Sequence, residues 1–108
     1  MMLFHIVESA DWATAEQKGI YAPDSLAAEG FIHLSEKQQV PSTVERFYRG
    51  RFDLVILGID PDRLSASLQY DQVQDHGVFP HLYGPLNLKA VVKVWTVEQF
   101  FDSLGQQA

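Results

Sequence analysis

Residues 53–60 read Asp-Leu-Val-Ile-Leu-Gly-Ile-Asp. Successive side chains of a β-strand point to opposite faces, and in this run both faces are apolar. Such a pattern is typical of a central strand that is covered on both sides. The run ends at residues 60–63, Asp-Pro-Asp-Arg, where proline occupies the favoured second position of a turn. We therefore expect this stretch to form the centre of a sheet, with the other elements arranged around it.

The segments on either side of this strand predict an α+β domain with flanking helices. The predicted elements are a strand at 2–8, a helix at 10–18, a helical turn at 25–29, a strand at 31–35, a helix whose apolar face carries Val40, Val44, Phe47 and Tyr48, strands at 68–73 and 90–97, and a last helix that begins at a capping box over 96–99. Residues 75–88 are rich in proline and glycine and predict a rigid loop. Because strands and helices do not alternate regularly, we expect one domain over residues 1–108 with a mixed or mainly antiparallel sheet.

The composition narrows the class of protein. With 46% hydrophobic and 20% charged residues, the 108-residue chain is expected to bury one core. It contains no cysteine, which excludes disulfides, thiolate metal sites and a cysteine nucleophile. The net charge of −6 argues against nucleic acid as a partner. No signal peptide and no bilayer-spanning segment is evident, so we expect a cytoplasmic protein that does not contact membranes.

Two histidines lie in segments that predict a catalytic site. His33 shares one face of its predicted strand with Phe31 and Ser35, a mixture that suits the floor of a cleft better than a core. His81 lies in residues 79–87, Phe-Pro-His-Leu-Tyr-Gly-Pro-Leu-Asn, and prolines stiffen both of its flanks. Imidazole titrates near neutral pH, so His33 and His81 are the candidate general acid and base.

Other chemistries find less support in the sequence. His5 is either a satisfied strand histidine or part of the site, and His76 is expected to be solvated. Three imidazoles and a water form a known zinc site, but no two histidines have ligand spacing, so no metal is expected. Ser35 lacks the Gly-x-Ser-x-Gly elbow of serine hydrolases. The chain also has no glycine-rich phosphate loop.

A cluster of arginines, Arg46, Arg49 and Arg51, lies at the end of the predicted third helix. These are either solvated cations at a helix end, where they suit the helix dipole, or a phosphate contact at the rim of the cleft. The sequence leaves both interpretations open.

Four segments together carry a resemblance to a known family. They are Phe4-His5-Ile6, Gly30-Phe31-Ile32-His33-Leu34-Ser35, the strand of residues 53–60, and residues 79–87. Over nearly its whole length the chain resembles the bacterial family called domain of unknown function 952. The fold of that family is similar to that of ADP-ribosyltransferases and of NAD-dependent RNA 2′-phosphotransferases. The resemblance implies a bent, split sheet with a cleft for NAD or a related nucleotide.

The resemblance also implies roles for individual residues. His5 matches the first-strand residue that holds the nicotinamide ribose, and Tyr21 or Tyr83 is the candidate for stacking on the nicotinamide ring. The full set of expected ligand-binding residues is His5, Tyr21, Phe31, Ser35, Tyr83, Gly84 and Asn87. Many enzymes of this fold use a late-strand glutamate, but residues 79–97 contain neither Glu nor Asp. His81 lies in the region where that glutamate would act.

Three functions are therefore open. The first is an NAD- or nucleotide-dependent transferase or glycohydrolase with a histidine-lined cleft. The second, which the missing glutamate favours, is a non-catalytic sensor that binds a nucleotide or small metabolite. The third is a protein-interaction module that exposes Leu82, Tyr83 and Leu86. The first two take a small nucleotide-type ligand, and NAD is the candidate cofactor.

Overall fold

The computed structural model describes residues 1–105, which form four α-helices and eight β-strands. In chain order the elements are β1 (Leu3–Glu8), α1 (Ser9–Lys18), β2 (Ile20–Tyr21), α2 (Asp24–Glu29), β3 (Ile32–His33), α3 (Val40–Phe47), β4 (Leu54–Ile59), β5 (Ser67–Val73), β6 (Gly77–Tyr83), β7 (Leu86–Asn87), β8 (Val91–Thr96) and α4 (Val97–Gly105). None of the helices in these residues combines the length and the apolar character needed to cross a membrane.

The strands form three small sheets, and every strand pair is antiparallel. The sheets have the orders β1-β4-β8, β2-β7 and β3-β6-β5. A bridge between Phe4 and Ser35 joins the first sheet to the third, with two backbone hydrogen bonds of 2.8 Å. The predicted α+β class with mainly antiparallel pairing is thus confirmed.

The central strand β4 has buried side chains on both faces, as its sequence predicts. Ile56 belongs to a buried cluster with Val40 of α3 and Phe100 of α4. Leu57 points the other way, into a cluster that includes Trp12 of α1. Burying an aliphatic or aromatic side chain of this size contributes about 1.5–3 kcal/mol, so the two clusters fix β4 between the helices.

Local signals fix the ends of the helices. Gly19 ends α1 in the left-handed region at φ 81°, and its N–H donates to Ala15 O at 2.8 Å. The predicted capping box at α4 is confirmed, because Thr96 N–H donates to Gln99 Oε1 and Gln99 N–H donates to Thr96 Oγ1, both at 3.0 Å. In α1 the buried residues are Trp12 and Ala15.

The prediction of a rigid loop over residues 75–88 is wrong. Residues 77–83 form β6, the middle strand of the third sheet. Pro80 fits there because its carbonyl accepts from Leu34 N–H at 2.9 Å, so the side of its backbone that lacks an N–H faces the end of β3. The β5–β6 ladder, which runs from the Ser67–Tyr83 pair to the Val73–Gly77 pair, therefore stays intact.

Candidate functional site

A cleft of about 380 Å³ lies where β1, β3 and β6 meet the C-terminal half of α3. This volume is within the usual range for small-molecule sites, roughly 300–1,000 Å³. Five of the predicted site residues line it: His5, Phe31, His33, Ser35 and His81. The fold thus brings together residues that are up to 76 positions apart in the chain, from His5 to His81.

Both ring nitrogens of His5 are used within the protein. Nδ1–H donates to the carbonyl of His33 at 2.8 Å, and since a carbonyl only accepts, this bond fixes the tautomer. Nε2 is then an acceptor and accepts a hydrogen bond from the Tyr21 hydroxyl at 2.9 Å. Burial lowers the pKa of His5 to about 4, so the ring is neutral at pH 7. His5 therefore positions the backbone of His33 and leaves no ring nitrogen free for a ligand.

His81 is oriented by a carboxylate that the sequence did not single out. His81 Nδ1 lies 2.9 Å from Asp71 Oδ2, on the neighbouring strand β5. The hydroxyl of Tyr83 donates to the same oxygen. The hydrogen bonds from Tyr83 and His81 lower the pKa of Asp71, so it is an anion and Nδ1 of His81 carries the proton. With His81 only 4% exposed, this bond fixes both the tautomer and the ring orientation.

His33 continues the chain of hydrogen bonds that starts at Asp71. His33 Nδ1 lies 3.0 Å from His81 Nε2. Because His81 carries its proton on Nδ1, its Nε2 accepts, and Nδ1–H of His33 is the donor. In this tautomer Nε2 of His33 holds a lone pair, and that nitrogen is buried without a hydrogen-bond partner among residues 1–105. Burial, followed by the charges of His81, His5 and Arg46, lowers the pKa of His33 to about 4.

Aromatic rings hold the two imidazoles in place. Phe31 stacks on His81 with ring centroids 4.0 Å apart and an interplanar angle of 15°. The ring of Phe79 lies 4.8 Å from that of His33. Tyr83, a predicted ligand-binding residue, does not line the cleft. The centroid of its ring lies 5.5 Å from that of Phe31, and its hydroxyl donates to Asp71. Its place is beside the hydrogen-bonded chain.

A further part of the cleft lining comes from α3. Thr43, Arg46 and Phe47 line the cleft, and the guanidinium of Arg46 lies 4.5 Å above the ring of Phe47. Phe47 is 60% exposed, so its predicted place on the apolar face of the helix is wrong. It lies near the end of α3, where the helix borders the cleft instead of the core.

The arginine cluster divides between the two interpretations that the sequence left open. Arg49 pairs with Glu45 at 3.1 Å, and Arg51 pairs with Glu8 at 3.0 Å and with Asp53. These two are surface cations with local partners. Arg46 lines the cleft and forms no salt bridge within the described part of the chain.

Besides Tyr83, three more predicted ligand-binding residues lie outside the cleft lining. Tyr21 lies behind His5 and lines a second cavity of about 360 Å³. Asn87 supports a loop, because its Oδ1 accepts from Ser65 N–H at 3.0 Å and its Nδ2 donates to Arg63 O at 2.8 Å. At Gly84 a Cβ would lie 2.7 Å from Cβ of Ala66, so the structure needs glycine there for a close chain approach.

The predicted interaction patch is also wrong. Leu82 and Leu86 are both fully buried, at 0% exposure, and only Tyr83 of the three is exposed, at 37%. Three residues at the site were not predicted from the sequence: Asp71, Arg46 as distinct from its neighbours, and Glu29, the one carboxylate among residues 1–105 that lines the cleft. The alternation of polar residues along β5 was the available signal for Asp71.

Within residues 1–105 no group of three or more His, Cys, Asp or Glu side chains is arranged to hold a metal ion.

Comparison with known proteins places the chain in a family. A family model described as "Protein of unknown function (DUF952)" matches residues 6–94. The crystal structure of protein CC0527 from Caulobacter crescentus is similar, with a TM-score of 0.81 and 30% identity over 89% of this chain and 85% of that chain. Its solution NMR structure gives a TM-score of 0.77 at 30% identity, over 88% and 83%. No curated protein matches. With the family model covering most of the sequence, the chain belongs to the DUF952 family.

Proposed function

We propose that the cleft binds a nucleotide-type small molecule, with NAD as the candidate, and that Asp71, His81 and His33 act together as a general base. The reaction class is transfer or hydrolysis at an N-glycosidic bond. The observation that carries the proposal is the hydrogen-bonded chain that starts at the Asp71 carboxylate and ends at the unpartnered Nε2 of His33. A buried nitrogen lone pair without a partner is costly, and a hydroxyl group or water that is admitted by a small movement of the covering side chains would satisfy it.

The hydrogen-bonded chain explains how a histidine with a low pKa serves as a base. A proton taken up at Nε2 of His33 is matched by transfer of the Nδ1 proton across the 3.0 Å gap to Nε2 of His81. The positive charge then resides on His81, beside the Asp71 carboxylate at 2.9 Å, and not on His33. The unfavourable imidazolium of His33 is avoided, and the carboxylate stabilises the ion that forms, as in hydrolases with an Asp-His pair.

The proposed step balances with a base alone. A water or an acceptor hydroxyl gives its proton to Nε2 of His33 while its oxygen bonds to the anomeric carbon of the ribose. The C–N bond to the leaving base breaks, and the electron pair goes to that base. When the leaving group is a pyridinium, as in NAD, it departs as a neutral molecule and needs no proton. One base, His33, is therefore sufficient for this chemistry.

The walls of the cleft suit a flat, partly apolar ligand. Phe31, Phe47 and Tyr48 line it, and base–aromatic stacking does not require a dedicated sequence motif. The choice of NAD rests on the resemblance to ADP-ribosyltransferases, which stays a prediction for this chain. Glu29 also lines the cleft and is within the group of residues that would meet a ribose hydroxyl.

Ligand binding is tested first, by NMR titration of labelled protein with NAD, ADP-ribose and nicotinamide. The expected result is a set of shift changes on His33, His81 and the residues that line the cleft, lost in His33→Ala. His76→Ala is the matched control, since His76 is exposed in the β5–β6 turn. Loss of binding in both variants, or no shift changes at millimolar ligand, would remove the nucleotide proposal.

Turnover then decides between an enzyme and a sensor. Release of nicotinamide from NAD by the wild type, abolished in His33→Ala, is the expected result for the enzyme. One observation favours the sensor as second candidate. Residues 79–97 contain no Asp or Glu that could serve as the late-strand carboxylate, and Glu29 at the end of α2 is the one acidic residue in the described cleft lining. Binding without release of nicotinamide under any acceptor would support the sensor.

A further inference from the structure

We infer that Arg46 and Ser35 form a phosphate subsite in the cleft, so that the ligand carries a phosphate group beside its ribose. This inference rests on the proposed function, because it names the chemical class of the ligand at the same site. It also identifies the phosphate group as a part of the ligand that supplies binding energy.

Arg46 differs from every other arginine of the chain. The other three, Arg49, Arg51 and Arg63, each form a salt bridge with a nearby carboxylate. Arg46 forms none in the described residues, although the chain has 14 acidic side chains. In a protein of net charge −6, an arginine left without a carboxylate and placed in a cleft is available to an external anion.

Ser35, which lines the same cleft, supplies a second donor. It is only 3% exposed, lines the cleft, and its hydroxyl forms no hydrogen bond within residues 1–105. Its backbone is fixed by the two 2.8 Å bonds to Phe4, so the hydroxyl is held at the cleft wall. Thr43 lines the cleft as well, but its hydroxyl already donates to Gln39 O at 3.1 Å. Ser25 and Tyr48 also line the cleft, but Ser25 is exposed and Tyr48 is half-buried. Ser35 is therefore the buried hydroxyl of the lining that has no partner within residues 1–105.

Phosphate suits this pair better than other groups do. A guanidinium presents a planar fork of N–H donors that matches phosphate oxygens, and a buried hydroxyl adds a third donor. The carboxylate of Glu29 would repel an anion elsewhere in the cleft, which directs phosphate to Arg46. Arg46 also helps to lower the pKa of His33, so a bound phosphate would offset that repulsion and strengthen the base.

The test compares nicotinamide mononucleotide with nicotinamide riboside, which differ in the 5′-phosphate alone. Dissociation constants are measured by calorimetry for the wild type, Arg46→Gln, Ser35→Ala and Arg49→Gln. A charge-assisted contact predicts that the phosphate strengthens binding to the wild type by about tenfold or more. Arg46→Gln should remove this ratio, Ser35→Ala should reduce it, and Arg49→Gln, on the same helix but paired with Glu45, should keep it. An unchanged ratio in Arg46→Gln overturns the subsite.

Inorganic pyrophosphate separates this inference from the proposed function. It is titrated in parallel while the side-chain Nε–H resonance of Arg46 is followed by NMR, with sulfate as a second anion. If neither nicotinamide mononucleotide nor nicotinamide riboside binds but pyrophosphate shifts the Arg46 resonance, the proposed function fails and the phosphate subsite stands. If nicotinamide mononucleotide and nicotinamide riboside bind with equal affinity and pyrophosphate leaves the Arg46 resonance unshifted, the proposed function stands and the subsite is overturned. Equal shifts with sulfate would show a general anion site and reject phosphate selectivity.

Discussion

Stability between pH 7.5 and 4.5 should depend on His5. Burial lowers the pKa of His5 from 6.5 to about 4 in the folded protein. Between these two values the unfolded chain binds more protons than the folded one, so stability rises with pH through this window. The contribution is fully present above pH 6.5 and is lost as the pH falls toward 4. For this one group the loss between pH 7.5 and pH 4.5 comes to about 2.5 kcal/mol.

The perturbation that isolates this contribution is His5→Gln. A glutamine side chain has an amide N–H for the carbonyl of His33 and an amide oxygen for the hydroxyl of Tyr21, but it does not titrate. The variant should therefore lose about 2.5 kcal/mol less than the wild type over the same change of pH. Its stability at pH 7.5 will also change because of packing, so the informative quantity is the pH dependence and not the level.

Urea unfolding at several pH values measures both terms. Fluorescence of Trp12 and Trp95, both buried, reports unfolding of the two sides of the central sheet. Groups distant from His5 titrate equally in both proteins, and the difference between the two pH profiles cancels them. His33 is coupled to His5, so its imidazole titration is followed by NMR in both proteins and its contribution is subtracted separately. His76→Gln controls for the removal of an exposed histidine. If His5→Gln and the wild type show parallel profiles, the buried, neutral His5 described above is not what determines acid stability.

Three further predictions concern the chain of hydrogen bonds that starts at Asp71 and the backbone. In Asp71→Asn the amide should donate to His81 Nδ1, which moves the His81 proton to Nε2 and reverses the direction of the chain of hydrogen bonds. The ¹⁵N imidazole spectrum of His81 should therefore show the other tautomer, and the proposed release of nicotinamide from NAD should slow by about a hundredfold or more. Gly58→Ala places a Cβ 2.7 Å from the Trp95 ring and should cost about 1–3 kcal/mol in urea unfolding; an unchanged midpoint would contradict this. Asp75→Gly relieves a residue at φ 66° and should raise the free energy of unfolding by about 0.5–1 kcal/mol.

Features decided by local physics could be predicted from the sequence. The two-sided strand of residues 54–59, the glycine that ends α1 and the capping box of α4 depend on neighbours within a few residues. The side chains that share one face of residues 31–35 were also predicted correctly, because alternation is intrinsic to an extended chain. That alternation brought His33 forward as a candidate, whereas His81 was chosen because prolines flank it in residues 79–87.

Strand β6 could not be predicted, and the reason is its proline. The cost of a proline in a strand depends on which neighbour its missing N–H faces, and that is a property of the assembled sheet. Pro80 faces the end of β3, where a single bond is lost, so the strand forms. Reading residues 75–88 as a loop hid the pairing of β5 with β6, and with it the contact of Asp71 with His81.

The register of the β5–β6 hairpin determines whether the proposed base exists. Asp71 is paired with Phe79, two pairs along the ladder from the Gln69–His81 pair, so Asp71 and His81 lie diagonally on the same face. A slip of one residue in this register would turn Asp71 to the opposite face and break the chain of hydrogen bonds at its charged end. The three-residue turn, with His76 N–H bonded to Val73 O at 3.0 Å, sets that register. The chemistry proposed for His33 is thus fixed by a turn on a different strand pair, far from it in sequence.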